Sequence, residues 1–166
     1  MPAAAHHSIA LPDAAATEAL ARRLAPLLVR GDVIALSGGL GAGKTTFARA
    51  LIRALAADSG LEVPSPTFTL VQSYPEAEPP IGHFDLYRVK DATELDELGL
   101  DDAAASGVAI VEWPERAPSR IAASALHIAF ELAGRGRVAS LRGDESWQER
   151  LRTLVGSFAA DNRGRS

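Results

Sequence analysis

Two short runs of consecutive apolar residues are the clearest hydrophobic pattern in the chain. Residues 33–36 and 108–111 each hold four apolar residues in a row. They lack the polar alternation of a strand that faces solvent on one side. The pattern predicts two central strands of a parallel sheet, covered by helices on both faces.

Helical periodicity predicts one helix before and one helix after the first central strand in the sequence. A leucine stripe runs through residues 13–29, with Asp13 as the expected N-cap and Pro26 as a kink in the last turn. Residues 45–57 carry apolar side chains every four positions and contain neither Gly nor Pro. Alternating strands and helices of this kind indicate an α/β fold.

Smaller helices are predicted in the second half of the chain. Residues 94–98 form one, with Thr93 as its expected N-cap and Gly99 at its end. A further brief turn closes at Gly107. Residues 146–149 read Ser-Trp-Gln-Glu, a capping box that is expected to open a C-terminal helix.

Five further segments predict strands at the margins of the sheet. Residues 69–74 and 81–87 are separated by a proline-rich loop and predict a hairpin. Residues 124–132 and 137–141 predict a second hairpin around a Gly-Arg-Gly turn. Residues 8–11 are expected to form a short edge strand.

The segment between the first strand and its helix is rich in glycine. Residues 38–46 read Gly-Gly-Leu-Gly-Ala-Gly-Lys-Thr-Thr and fit G-x-x-x-x-G-K-[ST], the phosphate loop of nucleotide triphosphatases. Lys44 would place its charge on the β- and γ-phosphates, and the Thr45 hydroxyl would be a magnesium ligand. We expect the phosphate-binding set to be Gly39, Leu40, Gly41, Ala42, Gly43, Lys44, Thr45 and Thr46.

An acid follows the second central strand directly. Glu112 is expected beside the phosphate loop, because the carboxyl ends of parallel strands meet at one edge of a sheet. There it would hold magnesium directly or through water. Trp113 comes next, either beside the nucleotide or as a lid on the core.

Four other polar residues leave alternatives open. Asp85 alternates with Phe84 and either faces the site or is a polar position on a half-exposed strand. Thr67 lies in a proline-fixed loop that either presents a hydroxyl to the γ-phosphate or only leads into a strand. Arg135 and Arg137 lie at a glycine-flanked turn, which is expected to hold them only loosely, and either reach phosphate or the adenine face or remain in solvent.

Composition limits the class of protein. The chain has 166 residues, 47% of them apolar, a formal net charge of −4 and no cysteine. We expect one domain over residues 8–159 with flexible termini at 1–7 and 160–166. No apolar run is long enough to cross a membrane and no signal peptide is evident, so a cytoplasmic protein is expected. The acidic balance disfavours direct capture of nucleic acid.

Several motifs together resemble the TsaE (YjeE) family, the ATPases of bacterial tRNA threonylcarbamoyladenosine synthesis. The phosphate loop alone is common to many families, and the other motifs are more specific. In this sequence they are Ser-Pro-Thr-Phe-Thr-Leu-Val at 65–71, His-Phe-Asp-Leu-Tyr-Arg at 83–88, Glu-Leu-Gly-Leu at 97–100 and Val-Glu-Trp-Pro-Glu at 111–115. The resemblance covers roughly residues 9–141.

The resemblance implies a three-layer P-loop fold whose mixed, mostly parallel central sheet carries added β-hairpins. It implies ATP and magnesium, with metal positions at Thr45 and Glu112. The residues that it associates with catalysis are Lys44, Thr67, Asp85 and Glu112, with Asp85 also a candidate at the metal. Trp113, Gly134 and Arg135 correspond to positions beside the nucleotide.

The resemblance also implies protein partners, TsaD and TsaB, with tRNA engaged only indirectly through their complex. ATP hydrolysis would be weak alone and stimulated by the partners. The main alternative is a small-molecule kinase, since its phosphate loop has the same pattern and Arg135, Arg137 and Arg142 could form a lid. A nucleotide-dependent scaffold without hydrolysis is a third class. A GTPase is disfavoured because no [NT]-K-x-D guanine motif occurs.

Overall fold

The computed structural model describes residues 4–163, with side chains through residue 160. Within that range the chain forms a three-layer α/β fold around one sheet. Its strands are β1 (Ala5–Leu11), β2 (Val33–Ser37), β3 (Val71–Tyr74), β4 (Ile81–Asp85), β5 (Val108–Glu112), β6 (Leu126–Ala133) and β7 (Gly136–Gly143). Its helices are α1 (Ala14–Leu24), α2 (Lys44–Ala56), α3 (Glu94–Leu98), α4 (Leu100–Ser106) and α5 (Gln148–Arg163).

The strand order is β1-β7-β6-β2-β5-β4-β3. The central pairs β6–β2, β2–β5 and β5–β4 are parallel, and the outer pairs are antiparallel. Five of the described strands therefore run in one direction, with β3 and β7 opposed. The predicted mixed, mostly parallel sheet with hairpins at its margins is confirmed.

The apolar runs of the central strands supply side chains to both faces of the sheet. In β2, Val33 packs on the face covered by α3 and α4, whereas Ile34 and Leu36 pack against α1, α2 and α5. The same alternation places Ile110 of β5 on the α2 face and Val111 on the other. Burial on both faces explains why these strands are continuously apolar.

The first helix ends where its proline interrupts it. α1 stops at Leu24 and Ala25–Leu27 forms a 3₁₀ turn with Pro26 in its first positions, because proline cannot donate the next helical hydrogen bond. At the other end, Asp13 accepts a hydrogen bond from the Ala16 backbone N–H at 2.8 Å. The predicted N-cap is confirmed.

The two other predicted caps do not form as expected. Thr93 occupies the predicted N-cap position of α3, but its side chain makes no capping hydrogen bond. Ser146 does not open the C-terminal helix, because it lies within a 3₁₀ turn whose cap is Asp144; the Asp144 carboxylate accepts the Ser146 backbone N–H at 2.9 Å. A 3₁₀ turn, Glu145–Trp147, precedes α5 and moves the helix start to Gln148.

Element boundaries differ from the sequence prediction at several places; β4, for example, ends at Asp85 and not at 87. β1 begins at Ala5, within the segment expected to be flexible, and α5 continues to Arg163, beyond the predicted boundary at 159. The remaining predictions of flexibility, at 1–3 and 164–166, lie outside the described residues. β3 begins at Val71 and not at 69, because Leu70 adopts a left-handed φ of 67° and closes a turn onto Pro66.

The C-terminal helix is fixed to the turn that precedes β2. Arg150 Nη1 donates to Asp32 Oδ2 at 2.7 Å and to the Leu27 carbonyl at 3.2 Å. The Arg150 guanidinium also stacks 3.6 Å from the Trp147 ring. Trp147 is fully buried and donates its indole N–H to the Ser124 carbonyl at 2.7 Å.

No helix among residues 4–163 has the length and apolar character needed to span a membrane.

Candidate functional site

The phosphate loop connects β2 to α2 in the predicted context. Gly38, Gly41 and Gly43 all have left-handed φ angles, of 138°, 75° and 117°. At Gly38 a Cβ atom would stand 2.6 Å from the Phe130 carbonyl oxygen, so only glycine fits there. Gly43 is the N-cap of α2 and provides no side-chain cap. The first N–H groups of the helix therefore have no side-chain acceptor and can receive an anion.

Lys44 is 5% exposed and lies against the start of the loop. Its Nζ donates to the carbonyl of Gly38 and, at 2.9 Å, to that of Gly39. The ammonium also lies 4.1 Å from the Trp113 ring centroid. Burial lowers the pKa of Lys44, while the carboxylates of Glu112, Glu115 and Asp85 act in the opposite direction.

A hydrogen-bonded chain links the loop to the end of β5. Thr45 Oγ1 donates to Glu112 Oε1 at 3.1 Å, and Glu112 Oε2 lies 2.7 Å from His83 Nε2. Glu112 is 1% exposed. The parallel pairing of β2 with β5 brings the acid to the loop, as predicted.

The oxygens of Thr45 and Glu112 fit a magnesium site completed by water and phosphate oxygens. Magnesium takes six oxygens and commonly uses only one or two protein ligands. Thr45 Oγ1 and Glu112 Oε1 lie 3.1 Å apart beside the loop, close enough for one ion to contact both. No group of three or more His, Cys, Asp or Glu side chains within the described residues is arranged to hold a metal ion by itself.

Asp85 lies beside Glu112 on the neighbouring strand. The two residues are paired in the register of β4 and β5, and Asp85 is 4% exposed, so it is not the half-exposed strand position of the alternative interpretation. Its Oδ2 accepts from Thr67 Oγ1 at 3.2 Å, and its Oδ1 accepts from the Tyr87 backbone N–H at 2.9 Å. Ser65 Oγ lies 2.8 Å from Thr67 Oγ1. The proline-fixed loop is therefore attached to β4 through a carboxylate.

One cavity of about 360 Å³ brings most of the predicted site residues together. The predicted residues that line it are Leu40, Gly41, Gly43, Lys44, Thr45, Thr46, Thr67, Asp85, Glu112, Trp113 and Arg135. Gly39, Ala42 and Gly134 do not. Ala42 is buried in the core, and Gly134 occupies the β6–β7 turn with a φ of 59°.

The start of α1 forms a wall of the cavity that the sequence did not indicate. Asp13, Ala14 and Thr17 line it. The sequence predicts Asp13 only as a helix cap, and no spacing in the chain connects it to the phosphate loop. The connection arises because β1 pairs with β7 along seven residues and carries α1 to that end of the sheet.

Arg137 is held more firmly than the sequence suggested. It is the second residue of β7 and is paired on both sides, with Leu11 of β1 and Leu132 of β6. The expectation that the turn holds its arginines only loosely is therefore wrong for Arg137. Its Nη2 donates to the Gly41 carbonyl at 2.9 Å and its Nη1 to the Gly136 carbonyl at 3.1 Å. Arg137 thus ties the hairpin to the phosphate loop.

The fold and the glycine loop between β2 and α2 define a protein of the P-loop class. Comparison with known families makes the assignment more specific. Residues 11–138 match the family model described as "Threonylcarbamoyl adenosine biosynthesis protein TsaE". The chain belongs to the TsaE family.

Individual relatives agree with the family assignment. The chain is 38% identical over 121 residues to a Bacillus subtilis protein named "tRNA threonylcarbamoyladenosine biosynthesis protein TsaE", covering 71% of this chain and 73% of that protein. It is 45% identical over 100 residues to the Aquifex aeolicus protein of the same name, covering 60% and 71%. The match to the Rickettsia felis protein, 40% identical over 99 residues, spans only 57% of that protein's length and 60% of this chain.

A solved structure is similar over the whole fold. The crystal structure of Bacillus subtilis YdiB superposes with a TM-score of 0.76 at 26% sequence identity, covering 98% of this chain and 99% of that one.

Proposed function

We propose that this protein is an ATPase of tRNA threonylcarbamoyladenosine biosynthesis, which hydrolyses ATP with magnesium to cycle a complex of TsaB and TsaD. The observation that carries the proposal is the convergence of the phosphate loop, the Thr45–Glu112 pair and the Thr67–Asp85 pair on one cavity. The names of the relatives support the pathway, since they are described as threonylcarbamoyladenosine biosynthesis proteins.

The loop and its lysine are proposed to bind the triphosphate. The loop N–H groups and the start of α2 supply aligned donors, and the helix dipole adds partial positive charge. Lys44 supplies a full charge close to them. Its present partners are the carbonyls of Gly38 and Gly39 at the start of the same loop. A cavity of about 360 Å³ lies within the ordinary range for small-ligand sites.

Thr45 and Glu112 are the residues proposed to hold magnesium. When bound, the ion would neutralise charge on the phosphates and orient the terminal group for displacement. Glu112 is suited to this role because its buried carboxylate already has hydrogen-bond partners on both oxygens.

Asp85 and Thr67 are proposed to orient the attacking water. Hydrolysis without a covalent intermediate requires a water molecule placed in line with the terminal phosphate. Asp85 is a buried acceptor whose position is fixed by the Tyr87 N–H, and the hydroxyl of Thr67 lies on the same side of the cavity.

Slow hydrolysis by the isolated protein, stimulated by partners, forms part of the proposal. Arg137 lines the cavity, but its guanidinium is engaged by the carbonyls of Gly41 and Gly136. An arginine supplied in trans is worth about 10³-fold or more in phosphoryl transfer. The net charge of −4 favours protein partners, with tRNA reached only through them.

Phosphate release tests the proposal directly. We expect slow release by the pure protein and faster release after addition of TsaB and TsaD from the same organism. Glu112→Gln should retain nucleotide binding and lose most of the hydrolysis, because the amide keeps the shape and removes the charge. Asp85→Asn should behave likewise, whereas Glu131→Gln, at an exposed site on β6, should match the unmodified protein.

Three results would contradict the proposal. Fast release by the isolated protein that the partners do not change would indicate a free-standing ATPase. Transfer of the terminal phosphate to a metabolite would indicate a kinase. Partner regulation that survives Glu112→Gln unchanged would indicate a scaffold that does not depend on hydrolysis.

A further inference from the structure

His83 is a fully buried histidine that contacts the acid of the site. It lies in the middle of β4 with 0% of its surface exposed. Its Nε2 is 2.7 Å from Glu112 Oε2 on the adjacent strand. Its other ring nitrogen, Nδ1, is also buried and has no hydrogen-bond partner among the described residues. Among the residues that the structure describes, Glu112 is therefore the one polar partner of the ring.

The unequal surroundings of the two nitrogens identify the tautomer. A proton on Nδ1 would be a buried donor without an acceptor, which is more costly than a buried lone pair on a ring nitrogen. A proton on Nε2 has the carboxylate of Glu112 as its acceptor. The ring therefore carries its proton on Nε2 and donates to Glu112.

The two oxygens of Glu112 have different partners as a result. Oε2 accepts from His83, and Oε1 accepts from the Thr45 hydroxyl. Strand alternation explains how the ring reaches the acid. Phe84 packs on the α3 and α4 face, and Ile81 and Ile110 pack on the α2 face, so His83 and Glu112 share the α2 face.

The Glu112 carboxylate has a competing partner close by. Lys44 is buried next to it, and the two charges attract one another. A carboxylate held at one oxygen only could rotate toward this ammonium. The His83 hydrogen bond occupies Oε2 and leaves Oε1 directed at Thr45.

We propose that His83 is a positioning residue, which fixes the Glu112 carboxylate so that Oε1 is presented with the Thr45 hydroxyl to a divalent cation. This inference rests on the proposed function, because it assigns the cation to that pair. His83 does not touch the nucleotide. Removing its N–H donor weakens magnesium-dependent nucleotide binding and leaves magnesium-free binding unchanged.

Calorimetry with ADP, in magnesium or in chelator, separates the two kinds of binding. His83→Phe keeps a ring of similar size and removes the donor, whereas His83→Gln restores an amide N–H near the position of Nε2. We expect His83→Phe to weaken ADP binding in magnesium by about 10-fold or more, the usual effect of losing such a partner. His83→Gln should recover most of that loss. His127→Phe, on β6 away from Glu112, is the matched control and should behave as the unmodified protein.

The outcomes separate failure of this inference from failure of the proposed function. If the unmodified protein binds ADP equally with and without magnesium, both fail. If magnesium strengthens its binding and also that of His83→Phe to the same degree, only the positioning role is wrong. Equal losses in His83→Phe and His83→Gln would also overturn it, because the N–H donor would not be the feature that matters.

The tautomer offers a test that needs no variant and no nucleotide. Nitrogen NMR of the unmodified protein distinguishes a protonated ring nitrogen from a bare one. We expect the His83 proton on Nε2. A neutral ring with its proton on Nδ1 and none on Nε2 would overturn the inference, since Nε2 could not then donate to Glu112.

Discussion

Lys44 is a charged side chain that is almost completely buried, and the surrounding residues explain why this is tolerated. Two loop carbonyls accept its hydrogen bonds, the face of Trp113 lies 4.1 Å away, and three carboxylates attract it. Burial nonetheless lowers its pKa, so the charge is retained at a cost in free energy. A costly buried charge of this kind is typical of functional sites.

Lys44→Ala should weaken ATP binding roughly 10- to 100-fold, the loss expected for hydrogen bonds to a charged group. Titration calorimetry with ATP and magnesium measures the change. Lys90→Ala removes the other lysine of the sequence, which is exposed, and serves as the control. Equal affinities for all three proteins would exclude the loop as the triphosphate site.

At the scale of the elements, one charged contact joins α5 to the turn that precedes β2. Arg150 joins the helix to Asp32, whose carboxylate also accepts the Val29 backbone N–H at 2.8 Å. Asp32 is 9% exposed, so removal of Arg150 would leave a nearly buried carboxylate without its cation. The contact therefore matters more than an exposed ion pair on the same helix would.

Arg150→Met should lower the free energy of unfolding by about 2 kcal/mol, since the hydrophobic stem is kept and the charged hydrogen bonds are lost. Urea denaturation provides the measurement. Arg152→Met, at an exposed position on the same helix just after Arg150, should change stability little. Similar losses in both variants would show that the Asp32 contact is not what stabilises the helix.

The elements that could be predicted from sequence are those whose pattern is local. Apolar runs identify β2 and β5, and the glycines with Lys44 identify the loop between β2 and α2. The failed caps at Thr93 and Ser146 have a physical reason. Which side chain caps a helix depends on the path by which the backbone enters it, and neighbouring elements fix that path. Leu70 has a left-handed φ, which makes β3 begin later than predicted, and nothing in its residue type indicates this conformation either.

At the scale of the whole molecule, one half-buried histidine couples stability to pH. His127 of β6 lies between Ala35 of β2 and Arg142 of β7. Burial and, to a smaller extent, the charge of Arg142 lower its pKa from the ordinary value of 6.5. The unfolded chain therefore binds a proton at a higher pH than the folded protein does. The stability associated with His127 is present above pH 6.5 and is lost as the pH falls through the lower, folded-state pKa.

Urea denaturation above and below pH 6.5 should show this dependence. We expect the unmodified protein to lose more stability on acidification than His127→Gln, whose side chain does not titrate. At neutral pH the two should unfold at similar urea concentrations. Parallel losses on acidification would mean that His127 contributes nothing to acid sensitivity.

The candidate site was predictable where a motif spans few residues and unpredictable where distant segments meet. Lys44, Thr45 and Glu112 follow from the loop and from an acid after an apolar strand. The wall formed by the start of α1 depends on the pairing of β1 with β7, which no local pattern shows. The same is true of the bond from Arg137 to Gly41, which are 96 positions apart.

The strand order also determines how late in synthesis on the ribosome β2 can pair with its neighbours. β2 is synthesised early, yet both of its neighbours in the sheet, β5 and β6, come more than seventy residues later. Because a strand without neighbours has unpaired backbone groups, the pairing of β2 cannot be completed until residue 129 has been released. The phosphate loop begins where β2 ends, and Arg137 follows later still. In a nascent chain the complete glycine-rich motif is therefore present long before the strands and the Arg137 contact that support it can form.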